Sequence, residues 1–225
     1  MVTSDSVIRS IGDTHCLFNT PDEPRARLVL AHGAGAPMDS DFMERMAELL
    51  CEQSLEVVRF EFPYMAKRRQ TGRRAPPDRQ PVLLESWERL VAALTEDVAP
   101  DKSAAPLFIG GKSMGGRMAT MVADGVPVKG VVCLGYPFYS RSRPEKPRTE
   151  HLLGLTTPTL ILQGTRDPMG NRETVAGYSL STAILFAWME TGDHDLKPLR
   201  NSGYNHDDYL RQAAERIAAF IGLAV

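Results

Sequence analysis

Apolar positions fall along the chain in two alternating patterns. Short runs that are apolar almost throughout occupy residues 27–31 (RLVLA), 55–62 (LEVVRFEF), 107–111 (LFIGG), 128–134 (VKGVVCL), 159–163 (TLILQ) and 183–189 (AILFAWM), and each predicts a buried strand. Between them the apolar residues recur at helical spacing. Phe42, Met46, Leu49 and Leu50 lead to Cys51, and Asp41 with Glu44 three residues on predicts a capping box at that helix's start. Leu83, Trp87, Leu90, Val91, Leu94 and Val98 form a second stripe, with Pro81 tolerable in its first turn. Residues 114–124 predict a third helix, and a short one fits between the last two strands. Asn205 is the expected N-cap of a closing helix that carries Leu210, Ala214, Ile217 and Ile221 on one face.

Two segments break the alternation. Residues 67–79 gather Lys67, Arg68, Arg69, Arg73, Arg74 and Arg79 with Pro76 and Pro77 and show no apolar period, which predicts a basic loop after the strand closed by Pro63. Residues 137–150 are polar and proline-punctuated. Val7–Ile8 and Cys16–Phe18 add a weak antiparallel hairpin at one sheet edge. Half-exposed strands would alternate apolar with polar residues, so apolar runs separated by amphipathic helices imply an α/β protein: a mainly parallel sheet with helices on both faces. No repeat, low-complexity tract or linker divides residues 1–225, which are expected to form a single domain.

Composition narrows the partners. The 225 residues are 43% hydrophobic and 24% charged, enough for a sizeable core. With 26 Lys and Arg against 28 Asp and Glu, a net charge of −2, nothing calls for nucleic acid or an anionic membrane. Residues 1–13 lack the apolar run of a signal peptide and no stretch approaches a membrane span, so the expected place is the cytoplasm. Cys16, Cys51 and Cys133, without CxxC spacing, read as small buried apolar residues and indicate neither a disulfide framework nor a zinc site.

The chemistry centres on Gly111, Lys112, Ser113, Met114 and Gly115, a G-x-S-x-G between the LFIGG strand and the next helix. The pattern alone is only moderately specific; the strand before it and the helix after it sharpen it. In such an elbow the serine sits in strained backbone at the sheet's carboxyl edge, and its neighbours must be glycine because side chains there would collide. The helix start also aims free N–H groups and a positive dipole end at a developing oxyanion. A serine hydroxyl needs a base and the base an orienting acid. Asp167 lies just past the TLILQ strand and His194 just past AILFAWM, in the order Ser, Asp, His, with spacing that returns all three to one sheet edge. His206, at a helix start, is a rival base; His15 and His151 have weaker claims. Asp193 and Asp195 flank the histidine but are too near in sequence to curl back onto its Nδ1. His32 is expected to shape a turn and not to act as base, and it lacks partners for a metal role.

These segments resemble the α/β-hydrolase superfamily over nearly the whole chain. AHGAGAPMDSDFM, FEFPYM, GGKSMGGRMA, LILQGTRDP and GDHDL look most like the small, lidless dienelactone-hydrolase-like branch. Within it they resemble bacterial hydrolases related to a eukaryotic chromatin-complex subunit and a testis-expressed hydrolase-like protein. The resemblance implies Ser113 as nucleophile, His194 as general base and then acid, and Asp167 as the orienting carboxylate. It also implies an oxyanion hole from the backbone N–H groups of Met114 and Ala34. The segment after VVCLGYP is too short for a large cap domain, so substrates of capped relatives do not transfer.

Other phosphate-binding readings fail on their own residues. Pro106 stands where a P-loop needs its first glycine, and Met38 where a dinucleotide fingerprint needs its third. The expected activity is therefore cleavage of a small ester, lactone or thioester through an acyl-enzyme, without cofactor or metal. A catalytically silent scaffold that binds protein, and an acyltransferase using the same triad, are the alternatives. The basic segment 67–79 and the later loop carrying Arg141, Arg143, Lys146 and Arg148 are either solvated or contact protein, or attract an anionic substrate, with Arg73 and Arg74 as candidate substrate-binding residues.

Overall fold

The computed structural model describes residues 6–96 and 105–224, so the Val98 end of the stripe beginning at Leu83 lies outside the described residues. The strands are β1 (Val7–Ile11), β2 (Thr14–Asn19), β3 (Ala26–Ala31), β4 (Leu55–Phe60), β5 (Leu107–Lys112), β6 (Gly130–Leu134), β7 (Thr159–Gly164) and β8 (Ile184–Met189). The helices are α1 (Asp41–Glu52), α2 (Pro63–Thr71), α3 (Gln80–Glu96), α4 (Met114–Val122), α5 (Arg172–Ala176) and α6 (His206–Leu223). All the strands join one sheet in the order β1-β2-β4-β3-β5-β6-β7-β8. β3 to β8 run parallel, and the β1–β2 hairpin is antiparallel and pairs antiparallel with β4.

Each face of the sheet buries its own apolar layer. Leu28, Leu30, Val57, Val132 and Leu162 point to one face and meet Met43, Met46 and Leu50 of α1 with Leu210, Ile217 and Ile221 of α6. Val29, Val58, Ile109, Val131 and Ile161 point to the other and meet Trp87 and Leu90 of α3 with Met118 and Val122 of α4. The period-2 alternation of strand side chains thus sends every second residue to each layer, which is why both sets must be apolar. Trp87 is fully buried with its ring edge-on to Phe60, centroids 4.8 Å apart. No cap domain is inserted among the described residues.

The sequence reading needs four corrections. Asp41 is the first helical residue of α1 and not its cap; Ser40 is the N-cap and its side chain makes no capping bond. Asp41 and Glu44 instead place negative charge in the first turn, where the helix dipole favours it. The strand from Leu55 ends at Phe60, because Pro63 starts α2 with Phe62 as its N-cap. α2 takes the first half of the predicted basic loop; only Tyr64 and Met65 face inward, so the helix leaves almost no apolar period to read. It stops at Gly72, whose left-handed φ of 68° lets its N–H close on the Arg68 carbonyl. Finally, two strands are not apolar throughout. β4 contains the fully buried Arg59, and edge strand β8 leaves Leu185 exposed. The closing helix is as expected and stronger: Asn205 caps Asp208 N–H while the Asp208 carboxylate accepts from Asn205 N–H.

Candidate active site

The carboxyl ends of three parallel strands, β5, β7 and β8, carry Ser113, Asp167 and His194, and the shared strand direction brings them to one edge. His194 Nε2 lies 2.8 Å from Ser113 Oγ and its Nδ1 lies 2.7 Å from Asp167 Oδ2. The carboxylate can only accept, so Nδ1 carries the proton and Nε2 is left as the acceptor for the serine hydroxyl. This is the geometry of a Ser–His–Asp triad able to form an acyl-enzyme.

Ser113 occupies the expected strained elbow. Its φ of 51° and ψ of −113° put a non-glycine residue in left-handed space, a strain of about 1–3 kcal/mol held by the surrounding backbone. A Cβ on Gly111 would fall 2.2 Å from the Ala31 carbonyl oxygen, and one on Gly115 2.4 Å from the same atom. Both glycines therefore let the elbow close onto β3.

Asp167 is fully buried, and its acceptor sites are filled from three sides. Besides His194, Oδ2 accepts from Gln163 Nε2 at 2.9 Å, and Oδ1 accepts from Met169 N–H at 2.8 Å. Gln163, itself fully buried, also donates to the Tyr136 and Gly170 carbonyls, and its Oε1 accepts from Tyr136 N–H at 2.7 Å. One amide thus joins the acid's turn to the loop after β6.

The variable residue of the G-x-S-x-G also has a structural task. Lys112 is buried, donates to the His194 carbonyl at 2.7 Å, pairs with Asp195 at 3.1 Å and places its ammonium 5.4 Å from the Phe42 ring centroid. Burial pushes its pKa below the ordinary lysine value, and the Asp195 charge acts against that shift.

The turn after β3 lies against the nucleophile: a Cβ on Gly33 would sit 3.8 Å from Ser113 Cβ. His32 is fully buried beneath it, its Nδ1–H donating to the Gly33 carbonyl at 2.7 Å and its Nε2 accepting from Phe62 N–H at 3.2 Å. Burial pushes its pKa down, so it stays neutral as a turn-shaping group, as expected. Tyr64 Oη donates to the Ala34 carbonyl at 3.0 Å, Arg68 reaches the Gly35 carbonyl, and buried Arg59 donates to the Met38 carbonyl at 2.9 Å. Among the described residues the Met114 and Ala34 N–H groups have no hydrogen-bond acceptor.

The rival groups are engaged elsewhere. His206 Nε2 donates to the Asp195 carbonyl, His15 meets Ser10, and His151 lies between Thr120 and Tyr136. Asp193 accepts from the Asp195 and Lys197 N–H groups, and Asp195 pairs with Lys112. Arg73 and Arg74 are exposed, and among the described residues their side chains form no hydrogen bond or ion pair. Cys16, Cys51 and Cys133 are buried, and burial raises the Cys16 thiol to about 12.

Lys112, Gln163 and Arg59 were not singled out by sequence. The available signal was a polar residue inside or at the end of an otherwise apolar strand, which must find a buried partner.

An α/β-hydrolase domain model matches residues 24–222. The chain belongs to the α/β-hydrolase family. Similar solved structures of this α/β-hydrolase fold include a dienelactone hydrolase from Anabaena variabilis, 20% identical over 97% of this chain and 96% of that one, with a TM-score of 0.71. XC6422 from Xanthomonas campestris, described as a serine hydrolase without a lid, is 16% identical over 96% of both chains with a TM-score of 0.64. Est1E from Butyrivibrio proteoclasticus, solved with ferulic acid, is 14% identical over 96% of this chain and 99% of its own, with a TM-score of 0.62. Among the described residues no helix of this α/β hydrolase is long and apolar enough to cross a membrane.

Proposed function

We propose that this α/β hydrolase cleaves a small ester, lactone or thioester in the cytoplasm, as a single domain over residues 1–225 and without a cofactor. The observation that carries the reading is the pair of triad hydrogen bonds, 2.8 Å from His194 to Ser113 and 2.7 Å from His194 to Asp167. Ser113 Oγ attacks the carbonyl carbon as His194 Nε2 takes its proton. The tetrahedral oxyanion accepts hydrogen bonds from the Met114 and Ala34 N–H groups, which have no acceptor among the described residues. As the oxyanion collapses, His194 returns the proton to the leaving alcohol or thiol. Water, deprotonated by the same imidazole, then attacks the acyl-enzyme; the second tetrahedral intermediate collapses, the acid leaves and Ser113 Oγ regains its proton.

The likeness to a dienelactone hydrolase and to Est1E with ferulic acid bound supports a carboxylic ester or lactone as substrate class. The motif segments favour the lidless branch shared with the bacterial relatives of the chromatin-complex subunit and the testis-expressed protein. Arg73 and Arg74, exposed and unpaired, steer anionic substrates to the edge. A panel of esters, lactones and thioesters on the wild type and Ser113→Ala tests the function: turnover by the wild type alone supports it, and no turnover of any member, or equal turnover by both, contradicts it. Added alcohols report acyl transfer by the appearance of a new ester.

A further inference from the structure

We infer that Gln163 is a positioning residue for the reaction, setting the Asp167 carboxylate so that one of its oxygens faces His194 Nδ1; this deepens the hydrolase reading and rests on Asp167 being the orienting acid.

Gln163 stands one residue before the end of β7, and the alternation of strand side chains puts it in the layer of Ile161, on the side of α3 and α4. An apolar side chain would pack there without further demands. A fully buried amide instead costs stability unless its polar atoms find partners. Its partners all belong to the two loops around His194. Oε1 accepts from Tyr136 N–H at 2.7 Å, while Nε2 lies 2.9 Å from Asp167 Oδ2, 3.0 Å from the Gly170 carbonyl and 3.2 Å from the Tyr136 carbonyl. Chemistry fixes which way the amide points. A backbone N–H can only donate and a carboxylate can only accept, so the amide oxygen must face Tyr136 and the NH2 group must face Asp167.

The amide pins the acid through the oxygen that matters. Asp167 lies between β7 and α5, outside any helix or strand. Its Oδ1 accepts from Met169 N–H at 2.8 Å, and its Oδ2 accepts from Gln163 at 2.9 Å and from His194 Nδ1 at 2.7 Å. Each carboxylate oxygen has a pair of acceptor sites, so with Gln163 on one site of Oδ2 the other is left to the imidazole. Without the amide, the carboxylate keeps Met169 N–H as its one fixed donor and can turn about that bond. The Gly170 carbonyl ties the same turn to Gln163 a second time.

The far end of the amide is anchored on the loop that touches the base. Tyr136 follows Gly135, and a Cβ on Gly135 would fall 2.4 Å from the His194 carbonyl oxygen and 3.3 Å from His194 Nδ1. Gly135 N–H itself donates to the carbonyl of Leu162, the residue before Gln163, at 2.9 Å. Gln163 thus fixes the acid relative to the same backbone against which the imidazole packs.

The test is a double-mutant cycle on the rate at which a neutral fluorophosphonate labels Ser113, beside kcat and KM for p-nitrophenyl acetate. Gln163→Met keeps the approximate volume and removes every bond the amide makes. It is expected to lower the labelling rate and kcat about 10- to 100-fold and to leave KM within about threefold of the wild type, as a displacement of about 1 Å in a reacting group would. In an Asp167→Ala background the same substitution should cost about threefold or less, because the amide then has no acid to position. Losses that multiply in the double variant, or no loss in either background, overturn the inference. Ring-nitrogen NMR spectra, with His194 assigned by its absence in His194→Gln, give a readout free of activity. The wild type should hold the Nδ1–H tautomer, and Gln163→Met should move toward the tautomer mixture of Asp167→Ala; an unchanged tautomer overturns the inference. If the wild type neither labels nor turns over the ester, the hydrolase reading fails and the tautomer alone decides. Where Gln163→Met does not fold, Gln163→Glu decides, since it keeps an acceptor for Tyr136 N–H. Its carboxyl can donate to Asp167 only while protonated, so its labelling rate relative to the wild type should fall about tenfold or more between about pH 6 and about pH 9, and a constant ratio overturns the inference.

Discussion

The Lys112 ammonium donates to the His194 carbonyl at 2.7 Å, so the residue before the nucleophile holds the loop that carries its base. Asp195 and the Phe42 ring complete the ammonium's surroundings. Lys112→Met keeps the chain length and the apolar contact but removes this tether. It is expected to lower kcat about 10- to 100-fold with little change in KM, since displacing a reacting group by about 1 Å is worth that much. Steady-state kinetics beside a thermal melt check it; an unchanged kcat would mean that other contacts position the loop.

Asp167→Asn should act through the tautomer of His194. The asparagine oxygen can still accept from Met169 N–H, which turns its NH2 group toward His194 Nδ1 and Gln163 Nε2. Nδ1 must then accept, the proton moves to Nε2, and the imidazole no longer takes the Ser113 proton. The expected loss in kcat is about 10³- to 10⁴-fold, read in single-turnover assays.

Gly115→Ala should unfold the elbow or distort it, because the new Cβ falls 2.4 Å from the Ala31 carbonyl oxygen. A loss of about 2 kcal/mol or more is expected from such overpacking, with loss of activity. Gly125→Ala, where a Cβ meets nothing within 4 Å, is the control and should change stability by about 0.5 kcal/mol or less. Urea unfolding of both variants measures the difference.

Much of this architecture could be read from residue patterns, and the misses share a cause. The apolar runs located the parallel strands, and because parallel strands share a direction, the places of Ser113, Asp167 and His194 after three of them implied one edge. Asn205 identified itself as a cap because local chemistry decides caps. α2 was hidden because only Tyr64 and Met65 face inward, too few to set a period. Lys112, Gln163 and Arg59 were hidden for the opposite reason. Their roles depend on partners such as His194, Asp167 and Met38, which only the folded chain brings near.

Stability should fall on mild acidification through His151. Its folded pKa is lowered to about 4 by burial first and the Arg117 charge second, while the unfolded imidazole keeps its ordinary value near 6.5. Between these values the unfolded chain binds more protons, so this contribution is fully present above about pH 6.5 and declines as the pH falls toward 4. His151→Gln should flatten that limb. Urea midpoints at pH 7 and pH 5 for the two proteins check it; equal acid sensitivity would contradict it.

The most direct measurement is intact-mass and peptide analysis after treatment with a fluorophosphonate, which modifies a serine only when a base activates it. The wild type should gain one adduct on the peptide containing Ser113, Ser113→Ala should gain none, and His194→Gln should react far more slowly. An unmodified wild type, or an adduct that persists in Ser113→Ala, would contradict the account.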